Sequence, residues 1–235
     1  MRQLVLSQIN GSVFDAASST QKNQVGRRAI LADGREFVYA ATAANLAAGD
    51  GVKASPGEVA LAALSFGTVS AGSNSFNITV SGVTKNQFAN GYLFITHGSG
   101  AGYVYRVRTN TATASGAITI ELYDSIKVAL SATSVGNLYI SAYDNVAQSG
   151  ANTPVVGVAV VPTTAATAGV TQYFWIQTKG MACIKRSGNI AAGQSVVPAA
   201  SGAFAVGAAH TDLYVGYSLV AETSDDLFAA VLQLP

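Results

Sequence analysis

The chain has 235 residues, 49% of them hydrophobic and 11% charged, with a formal net charge of +1. Ordinary globular chains carry about 25% charged residues, so a surface this sparse calls for cover by identical copies or by another protein, and an oligomer is expected. The same figures exclude phosphate neutralisation as a basis for nucleic-acid binding, since no basic run exists, and a membrane-spanning helix, since no apolar run reaches about 18 residues.

Residues 1–30 are polar, rich in Ser, Gln and Asn, and lack a sustained period. They read as an extended N-terminal arm, ordered by a neighbour. Residues 1–6 begin like a secretion signal but lack a long apolar stretch and a cleavage site, so synthesis and folding in a cytoplasm are expected. Residues 35–41 (REFVYAA) form the first firm strand, Gly49-Asp50-Gly51 mark a tight turn, and 57–66 fit a strand or a short helix. No charged residue occurs from 59 to 84, which predicts burial in the fold or in an interface.

The strand signal is strongest from 74 to 143. Segments 76–80, 92–96, 103–108, 117–122 and 138–143 are short, β-branched or aromatic, and punctuated by glycine. That spacing predicts an antiparallel sandwich or barrel. In 103–108, Tyr103, Tyr105 and Val107 share one face, while Val104, Arg106 and Arg108 share the wetter one. Residues 85–89 and 125–132 are the places where a helical turn fits, and 154–161 reads as a further strand before a linker at 162–169. The C-terminal third repeats the pattern: 171–185, 191–197, 215–219 and 227–234 are short apolar strands closed by glycines.

The expected fold is all-β: antiparallel sandwich or barrel modules with an extended N-terminal arm. The arm covers 1–30, a β-rich domain covers 31–160 with 74–145 as an inserted or added sandwich, and a C-terminal module covers 161–235. A short internal echo links 43–53 (AANLAAGDGVK) with 189–197 (NIAAGQSVV), and both fit the same turn-to-strand corner.

Little in the chain points to catalysis, and no enzyme activity is expected. A serine triad needs a histidine between nucleophile and acid, yet His97 and His210 both fall at turns, and no Gly-x-Ser-x-Gly elbow exists. Gly98-Ser99-Gly100-Ala101-Gly102 has the glycines of a phosphate loop but leads into a strand, whereas a phosphate site needs a helix N-terminus. It reads as a hairpin tip. Asp225-Asp226 are adjacent and suit a turn better than a spaced carboxylate pair. Glu121 and Asp124 flank Tyr123, a combination able to touch sugar. Two distant histidines and a single cysteine predict no transition-metal site and no cofactor. Cys183 sits in an alternating run and reads as a small buried hydrophobe. In the aromatic strand Tyr173-Phe174-Trp175-Ile176, alternate members fill a core and the outward ones suit a subunit interface.

Charges are unevenly placed. Arg2, Lys22, Arg27, Arg28 and Arg35 outweigh Asp15, Asp33 and Glu36 near the start, whereas Asp212, Glu222, Asp225 and Asp226 stand without a base near the end. Opposite ends of this kind suit head-to-tail contact or docking onto a lattice.

The series of strands from 171 to 235, with Gly180, Gly193, Gly202, Gly216 and the closing run 227–234, resembles the β-modules of tailed-bacteriophage capsid decoration (cement) proteins. Residues 25–35 (VGRRAILADGR) followed by 43–53 look like the start of such chains, and 76–143 looks like an added domain. The resemblance implies a structural virion protein, made in the host cytoplasm and seated as a homotrimer on the capsid exterior. There it would bridge major capsid subunits and stabilise the expanded shell by binding it. Arg27, Arg28, Arg35, Tyr173 and Trp175 are the expected capsid or subunit contacts. The competing expectation is a trimeric tail-fibre, receptor-binding or carbohydrate-binding domain.

Overall fold

A computed structural model describes residues 9–54, 59–164, 170–207, 213–223 and 226–234. The chain is nearly all β, 48% strand and 1% helix, in antiparallel sheets, one closed nearly into a barrel and one into a half-barrel. It divides into two compact units, Met1–Ser55 with Ala142–Pro235, and Pro56–Ser141.

The first unit opens with β1 (Arg28–Ile30), β2 (Glu36–Thr42) and β3 (Gly51–Lys53). The chain then forms the whole second unit: β4 (Val59–Ser65), β5 (Ser75–Val83), β6 (Tyr92–His97), β7 (Val104–Asn110), β8 (Thr113–Leu122) and β9 (Val135–Tyr139). It returns to the first for β10 (Ala147–Gln148), β11 (Gly157–Ala159), β12 (Gln172–Lys185) and β13 (Ser195–Pro198). After a single turn of 3-10 helix come β14 (Phe204–Val206), β15 (Gly216–Ser218) and β16 (Leu227–Gln233).

The second unit is one antiparallel sheet in the order β4-β9-β6-β7-β8-β5. Its sequence alternates as a half-buried strand must: Phe76, Ile78 and Val80 of β5 point inward, and Ser75, Asn77 and Thr79 point out. Leu93 and Ile95 of β6, Tyr105 and Val107 of β7, Ile118, Ile120 and Leu122 of β8 and Leu138 of β9 complete the core. Each such side chain contributes about 1.5–3 kcal/mol on burial. The uncharged stretch 59–84 is therefore only half buried, because Ser, Thr and Asn take the outward positions where charges usually stand. Residues 85–90 form a non-helical turn that drives Phe88 into the core. Asn110, 2% exposed, pins that turn by accepting the Phe88 N–H at 2.9 Å and donating to the Thr84 carbonyl at 2.9 Å. No helix forms at 125–132.

In the first unit the sheet order is β10-β3-β11-β12-β16-β15-β13-β14, with β2 also paired to β12 and β1 to β2. Read outward from the β12–β16 pair, the two halves mirror each other, β11 against β15, β3 against β13 and β10 against β14. The long β12 serves both: its first part pairs with β2, its second with β16, and Lys179 is partnered by Glu36 in one ladder and Gln233 in the other.

The match extends to individual bonds. Leu46 and Ile190 form isolated bridges, to Thr163 and Glu222 respectively. Three residues on, Gly49 (φ +85°) and Gly193 (φ +76°) take the left-handed conformation that glycine tolerates. The side chain of the next residue then closes the corner: Asp50 Oδ2 accepts the Ala47 N–H at 2.8 Å, and Gln194 Oε1 accepts the Ala191 N–H at 2.7 Å. Opposite the strands that follow, Val52 faces Gly157 and Val196 faces Gly216. The short echo in the sequence is the visible part of a duplicated β-module. The second unit is inserted in the β3–β10 hairpin, the counterpart of the short β13–β14 connection.

This division differs from the expected boundaries. Residues 31–160 do not form one domain, because β2 and β3 share a sheet with β10–β16, and 161–235 supplies only part of a module whose other strands precede residue 55. Of the strand expected at 154–161, only β11 forms, and residues 165–169 of the expected linker lie outside the described residues. The arm differs as well. From Ile9 to Gln24 it runs without regular strand structure, apart from an isolated bridge between Ser18 and Tyr173, but it packs on its own chain. Val13, Asn23 and Val25 are buried there, covering a second face of β2 and β12, so no neighbour is needed to order it. Residues 1–8 lie outside the described residues.

Candidate functional site

On the first unit, β12 leaves the sheet's doubly covered region after a bulge between Gln177 and Lys179. Phe174 to Thr178 are all buried, because one face lies on the core and the other lies under the N-terminal segment. Beyond the bulge only alternate residues are covered: Ala182 and Ile184 point inward, while Met181, 63% exposed, and Cys183 point out. Cys183 is thus an exposed thiol rather than the buried hydrophobe expected, since the register of β12 against β16 places Ala182 and Ile184 on the core side.

These outward residues border a groove of about 260 Å³ lined by Phe14, Arg35, Val158, Val160, Met181, Cys183 and Leu227 among others. Arg35 is fixed at its rim. Its Nε donates to Asp33 Oδ2 at 2.7 Å and its backbone N–H to Asp33 Oδ1 at 3.1 Å. Those two bonds, the backbone one foremost, hold the Asp33 carboxyl below its ordinary value. The guanidinium lies 5.4 Å from the centre of the Phe14 ring and 5.8 Å from that of Phe37, within cation–π range. Gly180 (φ +86°) makes room for the stem, since a Cβ there would stand 2.9 Å from Arg35 Cγ.

Among the other expected contacts, Arg28 is exposed at the start of β1 and Arg27 is half-buried beside it; neither lines the groove. Trp175 is 2% exposed, packed edge-on against Tyr39 at 5.0 Å between ring centres. It cannot meet a partner, because the arm covers the face that its position on β12 would otherwise present. Tyr173 is half-buried and stacked on Tyr39 at 6.3 Å. Its phenol is pushed up by burial and, to a lesser degree, by Asp144. Burial also raises the Asp144 carboxyl.

The chemistry-bearing residues do not converge. His97 is exposed at the end of β6, and His210 lies outside the described residues. Gly98–Gly102 makes the tip of the β6–β7 hairpin, with Gly102 N–H donating to the Ile95 carbonyl at 2.8 Å. Glu121 is tied to Arg108 at 3.2 Å and accepts from Thr109. Asp226 is exposed, and Asp225 lies outside the described residues. Among the described residues no three His, Cys, Asp or Glu side chains stand where they could share a metal ion. No helix among them is long and apolar enough to cross a membrane.

Sequence reasoning missed two features. One is the Met181–Cys183 edge of the groove, whose outward direction depends on the bulge. The other is an aromatic outer face on the second unit, where Tyr92 and Phe94 are 45% and 37% exposed. Its signal was present in 92–95 (YLFI), a run apolar on both faces, unlike the alternating β5 of the same sheet. No family model, curated protein or solved structure significantly matches this chain.

Proposed function

We propose that the chain is a structural protein of a tailed-phage particle, seated as a homotrimer on the outside of the head and bridging neighbouring major capsid subunits. The observation that carries this reading is the internal duplication. A bridge needs contact sets held at a fixed spacing, and one sheet built of two matching halves is a rigid scaffold suited to that. Two weak sites held together bind far more tightly than either alone when both reach their targets at once. The apolar groove with its exposed Met181 supplies the kind of surface that a partner covers, in keeping with the low charge of the chain.

The test is co-sedimentation of purified protein with emptied, expanded heads, together with the mass of the free protein by analytical ultracentrifugation. Saturable binding, a raised melting temperature of the heads and a trimeric mass are expected. Met181→Glu is expected to reduce binding at least tenfold while leaving the chain folded. Failure of the wild-type protein to sediment with heads overturns the reading.

A further inference from the structure

Tyr139, Tyr92 and Arg106 are direct cross-strand partners on β9, β6 and β7. Tyr123 continues the row, its N–H donating to the Arg106 carbonyl at 3.0 Å. Their sequence neighbours Leu138, Leu93, Tyr105, Val107 and Leu122 point into the core, so these four side chains lie side by side on the outer face. Strand spacing sets them about 4.8 Å apart. Phe94 widens the row, 5.0 Å from Tyr139 and 6.3 Å from Tyr92 between ring centres.

Arg106 distinguishes this face from plain apolar surface. Its guanidinium stands 5.2 Å from the centre of the Tyr123 ring, and its Nε is buried without a hydrogen-bond partner. No ion pair among the described residues includes it. The next cation on the strand, Arg108, is already answered by Glu121. The row therefore combines flat aromatic faces with one positive charge that lacks a counter-charge.

We propose that this face is a saccharide-binding site for sugars that carry a carboxylate. A pyranose ring offers a face of C–H groups that packs against the electron-rich face of an aromatic ring, and its hydroxyls can reach the phenols at the margins. The sugar carboxylate answers Arg106, a pairing whose planar geometry suits guanidinium. A nucleic-acid strand also stacks on aromatic sheet faces, but it brings a phosphate with every base, and one unanswered arginine matches one anion. This site is independent of where the first unit attaches.

Isothermal titration of the full chain with 3′-sialyllactose and with trigalacturonate tests the proposal, with lactose as the neutral control and a short oligothymidylate as the nucleic-acid control. Saturable binding of at least one acidic sugar, at least tenfold tighter than lactose, is expected. Arg106→Gln should bring the acidic sugar down to the level of lactose, Arg106→Lys should restore part of the difference, and Tyr92→Ser should weaken every sugar. These side chains point outward, so circular dichroism should remain unchanged. The proposal is overturned if neither acidic sugar binds, if lactose binds equally well, if Arg106→Gln changes nothing, or if the oligothymidylate binds more tightly than the sugars. It is overturned equally if Tyr92→Ser dissociates an oligomer of the free protein, because the face is then occupied by a second copy.

Discussion

Replacing Lys185 by methionine should destabilise the first unit by about 3 kcal/mol, the lower end of the range for breaking a buried ion pair. Asp50 sits with its side chain 1% exposed and accepts from Ala47 N–H at 2.8 Å, Gln148 Nε2 at 2.7 Å and Lys185 Nζ at 3.2 Å. Removing the lysine leaves the carboxylate in the interior with only neutral donors. The low end applies because Lys185 is itself 34% exposed, so solvent already weakens the pair. Trp175, the chain's only tryptophan, is buried in this unit and provides a specific fluorescence probe. With a denaturant slope of about 2 kcal/mol/M in urea, the midpoint should fall by about 1.5 M. Asp50→Asn in the Lys185→Met background removes the stranded charge, keeps the acceptor toward Ala47, and should recover about half of the loss, the coupling that a double-mutant cycle isolates. A midpoint shift below about 0.5 M, or no recovery in the double variant, refutes the reasoning.

The duplicated corners give a paired prediction. Gly193→Ala should cost about 1 kcal/mol, the strain of a left-handed backbone alone, since nothing lies near the added methyl. Gly49→Ala should cost about 2 kcal/mol, because a Cβ there, besides pushing aside the exposed Leu227 side chain at 2.7 Å, also crowds the backbone nitrogen of Lys185 at 3.1 Å; equal urea midpoints for the two variants would contradict the structural comparison. Replacing Pro56–Ser141 by a short turn should leave a folded first unit with Trp175 emission at its native wavelength, whereas a red-shifted spectrum would show that the insertion is needed for folding. Asp144 carries a raised pKa, so its ionisation opposes folding above the ordinary carboxylate value of 3.8 and that opposition disappears as pH falls below it. Asp144→Asn should therefore raise the urea midpoint at pH 7 and lose this advantage toward pH 3; a difference independent of pH would show that the side chain acts through packing.

The strands of the second unit were legible because Phe76-Asn77-Ile78-Thr79-Val80 and its neighbours carry the two-residue period that a one-sided core imposes. The first unit was harder to read. Its β2 and β12 are covered on both faces, so REFVYAA and QYFWIQT show continuous apolar runs that do not reveal which side holds the core. An insertion was legible, since 74–145 reads as an inserted or added sandwich and Pro56–Ser141 is the inserted unit; what stayed hidden was a non-local fact, the pairing of β12 with β2 across it, which joins the strands before residue 55 to those after 142. Local turn chemistry was recoverable: Ala-Ala-Gly followed by a polar acceptor marks both corners, since each needs a left-handed residue and a side chain to close it. Neither the groove nor the aromatic row was legible as a site. Met181 owes its exposure to a single bulge, and Arg106 owes its lack of a counter-charge to the capture of Glu121 by Arg108.

The hairpin into which the second unit is inserted leaves and re-enters the sheet at adjacent positions, Lys53 opposite Ala147. Its counterpart does the same, Pro198 opposite Phe204, but spans the gap with only Ala199–Ala203. A chain whose two exits are neighbours in a ladder can carry a passenger of any size without parting the strands that hold it, because loop-closure cost rises only slowly with length. The protein thus has two mounting points of the same design, one loaded and one vacant. The vacant one is where an engineer would graft a foreign domain for display.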